Sequence, residues 1–210
     1  HEQDKVKNRW PAAQKFIAER QLNEVFGRPD GKIGLVVQGG MYNGVIRALQ
    51  RLGLADIYGD TELPLYVMNV TYPIVEQEFL SFCAGKEAIL VVEEGQPEFI
   101  EQGLSTVAFR AGLKLRLHGK DIFPMAGEYT VQVMLDAITA FLKSAAPEVL
   151  PAQVRAPNAE GPAIPDLSKT VPIRPPGFCT GCPERPIFAA LKLGEKELGK
   201  HQITADIGCH

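Results

Sequence analysis

The chain has 210 residues, of which 45% are hydrophobic and 22% are charged, and a formal net charge of −3 at pH 7. These values are ordinary for a soluble globular protein and give no reason to expect binding to nucleic acid or to an anionic membrane surface. No apolar run approaches the roughly 18–20 residues of a membrane span. The opening HEQDKVKNRW lacks the apolar centre of a secretory signal and does not begin with methionine. We therefore expect an excised or processed piece of a longer protein.

A regular alternation of strands and helices is predicted after a first helix. That helix is expected over residues 11–26, because Pro11 suits the first helical turn and Gly27 follows the last one. Short apolar strands are then predicted at residues 32–38, 65–70, 88–92 and 114–117. A helix is predicted after each strand. The clearest one has a single apolar stripe made of Val131, Met134, Leu135, Ile138, Phe141 and Leu142.

The predicted strands are continuously apolar, which is typical of parallel strands covered by helices on both faces. We therefore predict an α/β parallel-sheet domain at residues 30–143, preceded by an N-terminal helical segment at residues 1–29. Residues 144–177 contain eight prolines and are predicted to form an extended, partly polyproline linker. A second module is expected at residues 178–210, with a helix at 184–198 and a strand at 203–207. A segment of about 35 residues is too short to bury a core of its own.

The sharpest chemical feature is a group of cysteines near the end of the chain. Cys83 lies alone in an apolar stretch and is expected to behave as a small hydrophobic residue. Cys179, Cys182 and Cys209 all fall within the last 32 residues, which favours a metal or redox site over a disulfide framework. Cys179 and Cys182 form a C-x-x-C turn, and Cys209 follows a predicted strand and a glycine.

Three thiolates suit an iron–sulfur cluster whose fourth ligand comes from elsewhere, or a zinc site completed by His210. A thioredoxin-like redox pair fits less well, because Cys179 follows a linker rather than a strand. Turn cysteines without any metal are the remaining interpretation.

Other polar positions carry weaker signals. Glu93 and Glu94 follow a predicted parallel strand, where open α/β sheets place ligands, but they alternate faces and are equally consistent with a solvated loop. Gly39 and Gly40 form a strand-to-helix turn that is suited to an anion or simply to tight geometry, and they do not match the G-x-G-x-x-G fingerprint. His118 and His201 are expected to be ordinary surface histidines.

Several stretches resemble one enzyme family. The sequence RPPGFCTGCPERPIFAALK (174–192), followed by ADIGCH (205–210), is similar to the opening of the thiamine-diphosphate-binding domain of indolepyruvate ferredoxin oxidoreductase, large subunit. The family pattern there is roughly C-x-G-C-P-x-R, a helix, and a strand that ends in G-C. AILVVEEGQPEFIEQ (88–102) and HGKDIFPMAGE (118–128) resemble the middle domain of that family, which has the fold of the transketolase C-terminal domain. Glu184 departs from the family, since many relatives carry histidine at this position.

The resemblance implies an enzyme that oxidatively decarboxylates aryl 2-oxoacids on thiamine diphosphate with Mg²⁺. The acyl group would pass to coenzyme A, and electrons would pass through a [4Fe–4S] cluster to ferredoxin. Cys179, Cys182 and Cys209 would be cluster ligands, with a fourth cysteine further on. Gly208, Cys209 and His210 would lie near the diphosphate of the cofactor. A cytoplasmic homo- or hetero-oligomer is expected.

The catalytic residues of that enzyme are not identified in this sequence. Its acidic Mg²⁺ motif, its pyrimidine-binding domain and its ferredoxin-like domain would lie outside these residues, so we expect the chain alone to be inactive. The competing hypothesis is a non-catalytic, thiamine-enzyme-like assembly module with a structural zinc in its tail. A Mg²⁺ motif and a fourth cysteine beyond residue 210 would favour the enzyme.

Overall fold

A computed structural model of the chain describes residues 1–155, 170, 181–200 and 202. The chain divides into two compact units, His1–Ile164 and Pro165–His210. Among the helices described, none is both long and apolar enough to cross a membrane.

The first unit is built on a five-stranded sheet with the strand order β1-β3-β2-β4-β5. Its strands are β1 (Glu24–Phe26), β2 (Ile33–Gln38), β3 (Leu65–Met68), β4 (Ala88–Val92) and β5 (Arg116–His118). Strands β2 to β5 are parallel to one another, and Leu35 in the centre of the sheet lies opposite both Leu65 and Leu90. Strand β1 is antiparallel to β3. The mostly parallel sheet confirms the predicted α/β class.

Helices cover both faces of the sheet, as continuously apolar strands require. Alternate residues of each central strand belong to two separate apolar clusters, one on each face. Helices α2 (Tyr42–Arg51) and α5 (Val131–Ala145) cover one face, and α3 (Glu76–Cys83) and α4 (Phe99–Arg110) cover the other. Each of these helices follows the strand after which it was predicted.

The N-terminal segment differs from its prediction. Helical turns at Glu2–Asp4 and Lys5–Arg9 lead into α1 (Trp10–Glu19), which ends well before residue 26. Gln21 adopts a positive φ of 49°, a conformation that no α-helix can continue through. The helix predicted over residues 11–26 is therefore confirmed up to Glu19 and wrong over residues 20–26. This part of the chain supplies the edge strand β1, because pairing with β3 satisfies its backbone hydrogen bonds.

The beginning of the predicted linker also differs from expectation. Helix α5 extends to Ala145, a 3-10 turn spans Pro147–Val149, and α6 (Ala152–Arg155) follows. Leu150 is 1% exposed and belongs to the core of the first unit. The extended conformation is therefore wrong for these residues, since Pro147 starts a helical turn and Leu150 buries an apolar side chain. Residues 156–177 lie outside the described part of the chain, apart from Thr170.

The second unit contains one described helix, α7 (Arg185–Leu198). Pro186 occupies its first turn and Gly199, with a φ of +84°, follows its end, which confirms the helix predicted at 184–198. No residue of α7 is buried. The strand predicted at 203–207 lies outside the described residues.

Candidate functional site

The carboxyl ends of the parallel strands lie at one edge of the sheet, the place where open α/β sheets bind ligands. We name this region the carboxyl edge. It consists of the loops at residues 39–41, 69–75, 93–98 and 119–130. Its polar side chains come from several loops that are distant in sequence.

Glu93 is 7% exposed, and its carboxylate caps helix α4. Oε1 accepts a hydrogen bond from the Ile100 N–H at 2.9 Å, and Oε2 accepts one from the Glu101 N–H at 3.0 Å. The first N–H groups of a helix have no partner within the helix, and a negative charge near them is favourable. Interpretation of Glu93 as part of a solvated loop is therefore wrong, and its carboxylate has a structural role.

Glu94 faces the other way, as the alternation of side chains along the chain predicts, and connects three loops. Its carboxylate accepts a hydrogen bond from the Tyr129 N–H, while its own N–H donates to Oε1 of Gln38 at 3.2 Å. The ends of β2 and β4 are thereby tied to the loop that follows β5. Both oxygens of the Glu93 carboxylate and one oxygen of the Glu94 carboxylate are thus used in hydrogen bonds to backbone N–H groups.

Lys120 holds the longest of these loops in place. Its Nζ donates to the Glu93 carbonyl at 2.8 Å and to the Tyr129 hydroxyl at 2.6 Å. Tyr129 in turn donates to the Pro124 carbonyl at 2.7 Å and stacks on Phe123. The sequence showed no partner for Lys120, because every one of these contacts joins residues that are separated along the chain.

His118 ends strand β5 and pairs with Asp121, with Nδ1 and Oδ2 separated by 2.7 Å. It is half-buried rather than the plain surface histidine that was expected. Burial alone would raise the pKa of Asp121. Hydrogen bonds from the Gly119 N–H and from His118 outweigh this effect, so the pKa of Asp121 is held below its usual value.

Of the two glycines in the turn after β2, Gly39 is required by close packing and Gly40 is not. A Cβ atom on Gly39 would lie 2.9 Å from the Asn69 side chain, whereas Gly40 faces open space. Gly39 therefore permits close contact between the ends of β2 and β3. Within residues 1–155 and 181–200, no group of three potential metal ligands is found.

One of the predicted cluster ligands lies in the described part of the second unit. Cys182 is a free, half-buried thiol that directly follows Gly181, whose φ is +80°, and lies three positions before the start of α7. Cys179, Gly208, Cys209 and His210 lie outside the described residues, so the cluster and the diphosphate site remain predictions.

Cys83 is confirmed as a buried apolar cysteine. It is 3% exposed among the side chains of α3 and α4, and burial raises the pKa of its thiol to about 12. A thiol with so high a pKa is protonated at neutral pH and is unreactive.

Comparison with known proteins assigns the family. The indolepyruvate oxidoreductase domain model matches residues 23–146, which include all five strands of the sheet. Indolepyruvate oxidoreductase subunit IorA of Methanothermobacter thermautotrophicus is 34% identical over 200 residues, covering 91% of this chain and 28% of the relative. Subunit IorA of Thermococcus kodakarensis is 31% identical over 190 residues, covering 90% and 27%. The chain thus spans little more than a quarter of the length of these relatives. Because the family model covers more than half of the sequence, the chain belongs to the indolepyruvate oxidoreductase domain family.

Proposed function

We propose that the chain is the middle domain and the beginning of the thiamine-diphosphate-binding domain of an indolepyruvate oxidoreductase large subunit. The complete enzyme oxidatively decarboxylates aryl 2-oxoacids, transfers the acyl group to coenzyme A and reduces ferredoxin. One observation carries the proposal. The similarity to the Methanothermobacter relative covers 91% of the chain, and therefore extends beyond the sheet domain toward the cysteine-bearing segment.

In this proposal Cys179, Cys182 and Cys209 bind an iron–sulfur cluster, together with a fourth thiolate from outside these residues. Gly208, Cys209 and His210 contact the cofactor diphosphate. Bound thiamine diphosphate supplies the carbanion chemistry of decarboxylation, and a cluster held by the same domain is fixed within electron-transfer range. The free Cys182 thiol, in a glycine turn shortly before α7, supports a ligand role.

The sheet domain has a positioning role in this proposal. Its carboxyl edge is the expected place for a ligand, yet the polar side chains of Glu93, Glu94 and Lys120 are used in bonds between loops. Such a network ties the loops of the edge together and occupies the Glu93 carboxylate and the Lys120 amine. We infer that the domain keeps the flanking thiamine-binding domains in register and takes no part in bond making.

The test uses a chimera in which this chain replaces the matching stretch of the Methanothermobacter thermautotrophicus relative, prepared without oxygen. We expect reduction of ferredoxin that depends on indolepyruvate and coenzyme A. Cys179→Ser, Cys182→Ser and Cys209→Ser should each lower the iron content and abolish ferredoxin reduction. Cys83→Ala is the matched control, because Cys83 is buried in the first unit, and it should leave the iron content unchanged.

The same preparation distinguishes the competing hypothesis. Zinc in place of iron, with no turnover, would favour the assembly module with a structural zinc tail. If all three serine variants kept their iron and their activity, the assignment of the cluster ligands would be wrong.

A further inference from the structure

A cleft of about 740 Å³ opens on the face of the sheet that carries α3, beside the edge strand β1. We call it the Lys86 cleft. Its volume lies within the range of roughly 300–1,000 Å³ that is typical of small-molecule sites. Its lining combines apolar and aromatic side chains with polar ones, which include two carboxylates, Glu24 and Glu78, and one amine, Lys86. The residues that matter here are Val25, Pro29, Tyr66, Glu78, Phe82 and Lys86.

Lys86 is 7% exposed, although it stands in a short turn where a lysine would ordinarily be solvated. Its stem crosses strand β2 at Gly34, where a Cβ atom would lie 3.0 Å from Lys86 Cε and 2.7 Å from Phe82 Cζ. A glycine inside a buried strand weakens the strand and often marks a close approach by another group. The absence of a side chain at Gly34 therefore provides the space that the Lys86 side chain occupies.

The buried amine has spare hydrogen-bonding capacity. Nζ donates to the Pro29 carbonyl at 2.9 Å and lies 4.7 Å from the centroid of the Phe82 ring. A lysine ammonium has three N–H donors, and within the described residues Pro29 is the one hydrogen-bond acceptor that it has. No carboxylate of those residues forms a salt bridge with it.

Burial without a paired anion disfavours the charged amine. Burial lowers the pKa of Lys86, and the Asp30 carboxylate opposes this effect only in part. A ligand carboxylate at Nζ would supply the missing negative charge and the missing acceptor, and a charge-assisted hydrogen bond in such a place is stronger than a neutral one.

Three other polar side chains of the cleft are already paired with one another. The Tyr66 hydroxyl donates to Glu78 Oε2 at 2.9 Å, and Asn23 Nδ2 donates to the same oxygen at 2.9 Å. Asn23 also donates to the Tyr66 hydroxyl at 3.2 Å. The negative charges of Glu78 and of Glu24, which also lines the cleft, would repel an anion. A carboxylate in the cleft is therefore directed to Lys86.

We propose that the Lys86 cleft binds a small carboxylate that carries an apolar group. The carboxylate accepts hydrogen bonds from Lys86 Nζ, and the apolar group lies against Val25, Pro29 and Phe82. Val25 is 55% exposed, so its side chain is available to cover such a group. This site lies outside the cysteine-bearing unit and does not rest on the proposed function.

The experiment uses the 210-residue chain and two probes of the same shape, 3-phenylpropionate and its neutral amide, 3-phenylpropanamide. Binding is followed by NMR chemical-shift titration. We expect saturable binding of the acid at about millimolar concentration and binding of the amide that is about 10-fold weaker or more. Lys86→Met, which keeps an unbranched apolar stem, should weaken binding of the acid by about 10-fold or more.

Lys32→Met is the matched control. Lys32 is an exposed lysine directly before β2, forms a salt bridge with Glu87 and does not line the cleft. It should bind the acid like the unmodified chain. Val25→Trp places a larger side chain in the cleft from an exposed position and should block binding of the acid without changing Lys86. This variant tests the site if Lys86→Met does not fold. Equal binding of acid and amide, unchanged binding in both cleft variants, or no saturable binding would overturn the proposal.

Discussion

The ammonium of Lys120 lies 4.6 Å from the ring centroid of Tyr129 and donates a 2.6 Å hydrogen bond to the hydroxyl of the same residue. The two residues are nine positions apart and enclose most of the loop after β5. Because the lysine also donates to the Glu93 carbonyl, one side chain joins this loop to the end of the neighbouring strand β4. The carboxyl edge is thus fixed by contacts between loops rather than by the sheet alone.

Replacing Lys120 by Met should release this loop. The change removes two hydrogen bonds and leaves the Glu93 carbonyl short of a donor, so we expect the free energy of unfolding to fall by about 1–3 kcal/mol. Hydrogen exchange of residues 119–130 should accelerate more than exchange in the strands. Lys114→Met is the control, because Lys114 is exposed, and it should change stability by less than about 0.5 kcal/mol. Equal effects of the two substitutions, measured by urea unfolding, would contradict the role of Lys120.

Replacing Glu93 by Gln should destabilise the start of helix α4. The amide keeps one acceptor oxygen but loses the second and the negative charge, which leaves the Ile100 or the Glu101 N–H without a partner. We expect a loss of about 2 kcal/mol in the free energy of unfolding. Glu98→Gln removes a charge from a half-buried position at the same helix end, where the carboxylate accepts a hydrogen bond from the Gln102 side chain at 3.0 Å, and its effect should be smaller. A loss at Glu98 as large as that at Glu93 would mean that charge alone, and not the buried cap, stabilises the helix.

The sequence was sufficient to predict most elements of the sheet domain, because their signals are local. Continuous apolar runs indicated β2 and β4, and the apolar stripe along residues 131–142 indicated α5. Strand β1 had no such signal. Its three residues are a strand because Val25 pairs with Tyr66 of β3, a contact between positions that are far apart in sequence.

The sequence predicted where the carboxyl edge lies, and did not predict which residues form hydrogen bonds there. The alternation of elements placed Glu93 and Glu94 at the carboxyl edge, and the structure agrees. The partners of these carboxylates and of Lys120 come from other loops, so no local pattern could identify them. Lys86 was missed altogether, since a lysine after a glycine in a short turn resembles a surface residue. Gly34, inside an otherwise β-branched and apolar strand, was the signal that could have pointed to it.

Replacing Gly44 by Ala should destabilise the contact between α2 and α5, although alanine favours helix by about 1 kcal/mol. The added Cβ would lie 2.5 Å from the sulfur of Met134, which is 2% exposed. The overlapping atoms are the flexible end of the Met134 side chain, which can shift in part, so we expect a net loss of about 1 kcal/mol or less. In a Met134→Ala background the same substitution should cost less or stabilise the protein, and a double-mutant cycle measures this coupling. Additive effects of the two changes would show that the helices do not meet at this point.

Acidification should reduce the contribution of Asp121 to the free energy of unfolding within a defined pH range. The folded-state pKa of Asp121 lies below the usual value of 3.8, because hydrogen bonds from the Gly119 N–H and from His118 outweigh the burial that would raise it. A carboxylate whose pKa is lowered by folding stabilises the folded state above the pKa of the unfolded chain. That stabilisation is lost as the pH falls through the folded-state value.

The unmodified chain should therefore be more stable than Asp121→Asn at about pH 5, and the difference between them should shrink as the pH falls below 3.8. Urea unfolding at a series of pH values between these limits and about pH 2 measures the difference. His118→Gln keeps a hydrogen-bond donor but removes the positive charge, so it should shift the decline toward higher pH. A stability difference that stayed constant, or grew, on acidification would show that Asp121 is not held in its charged form by these partners.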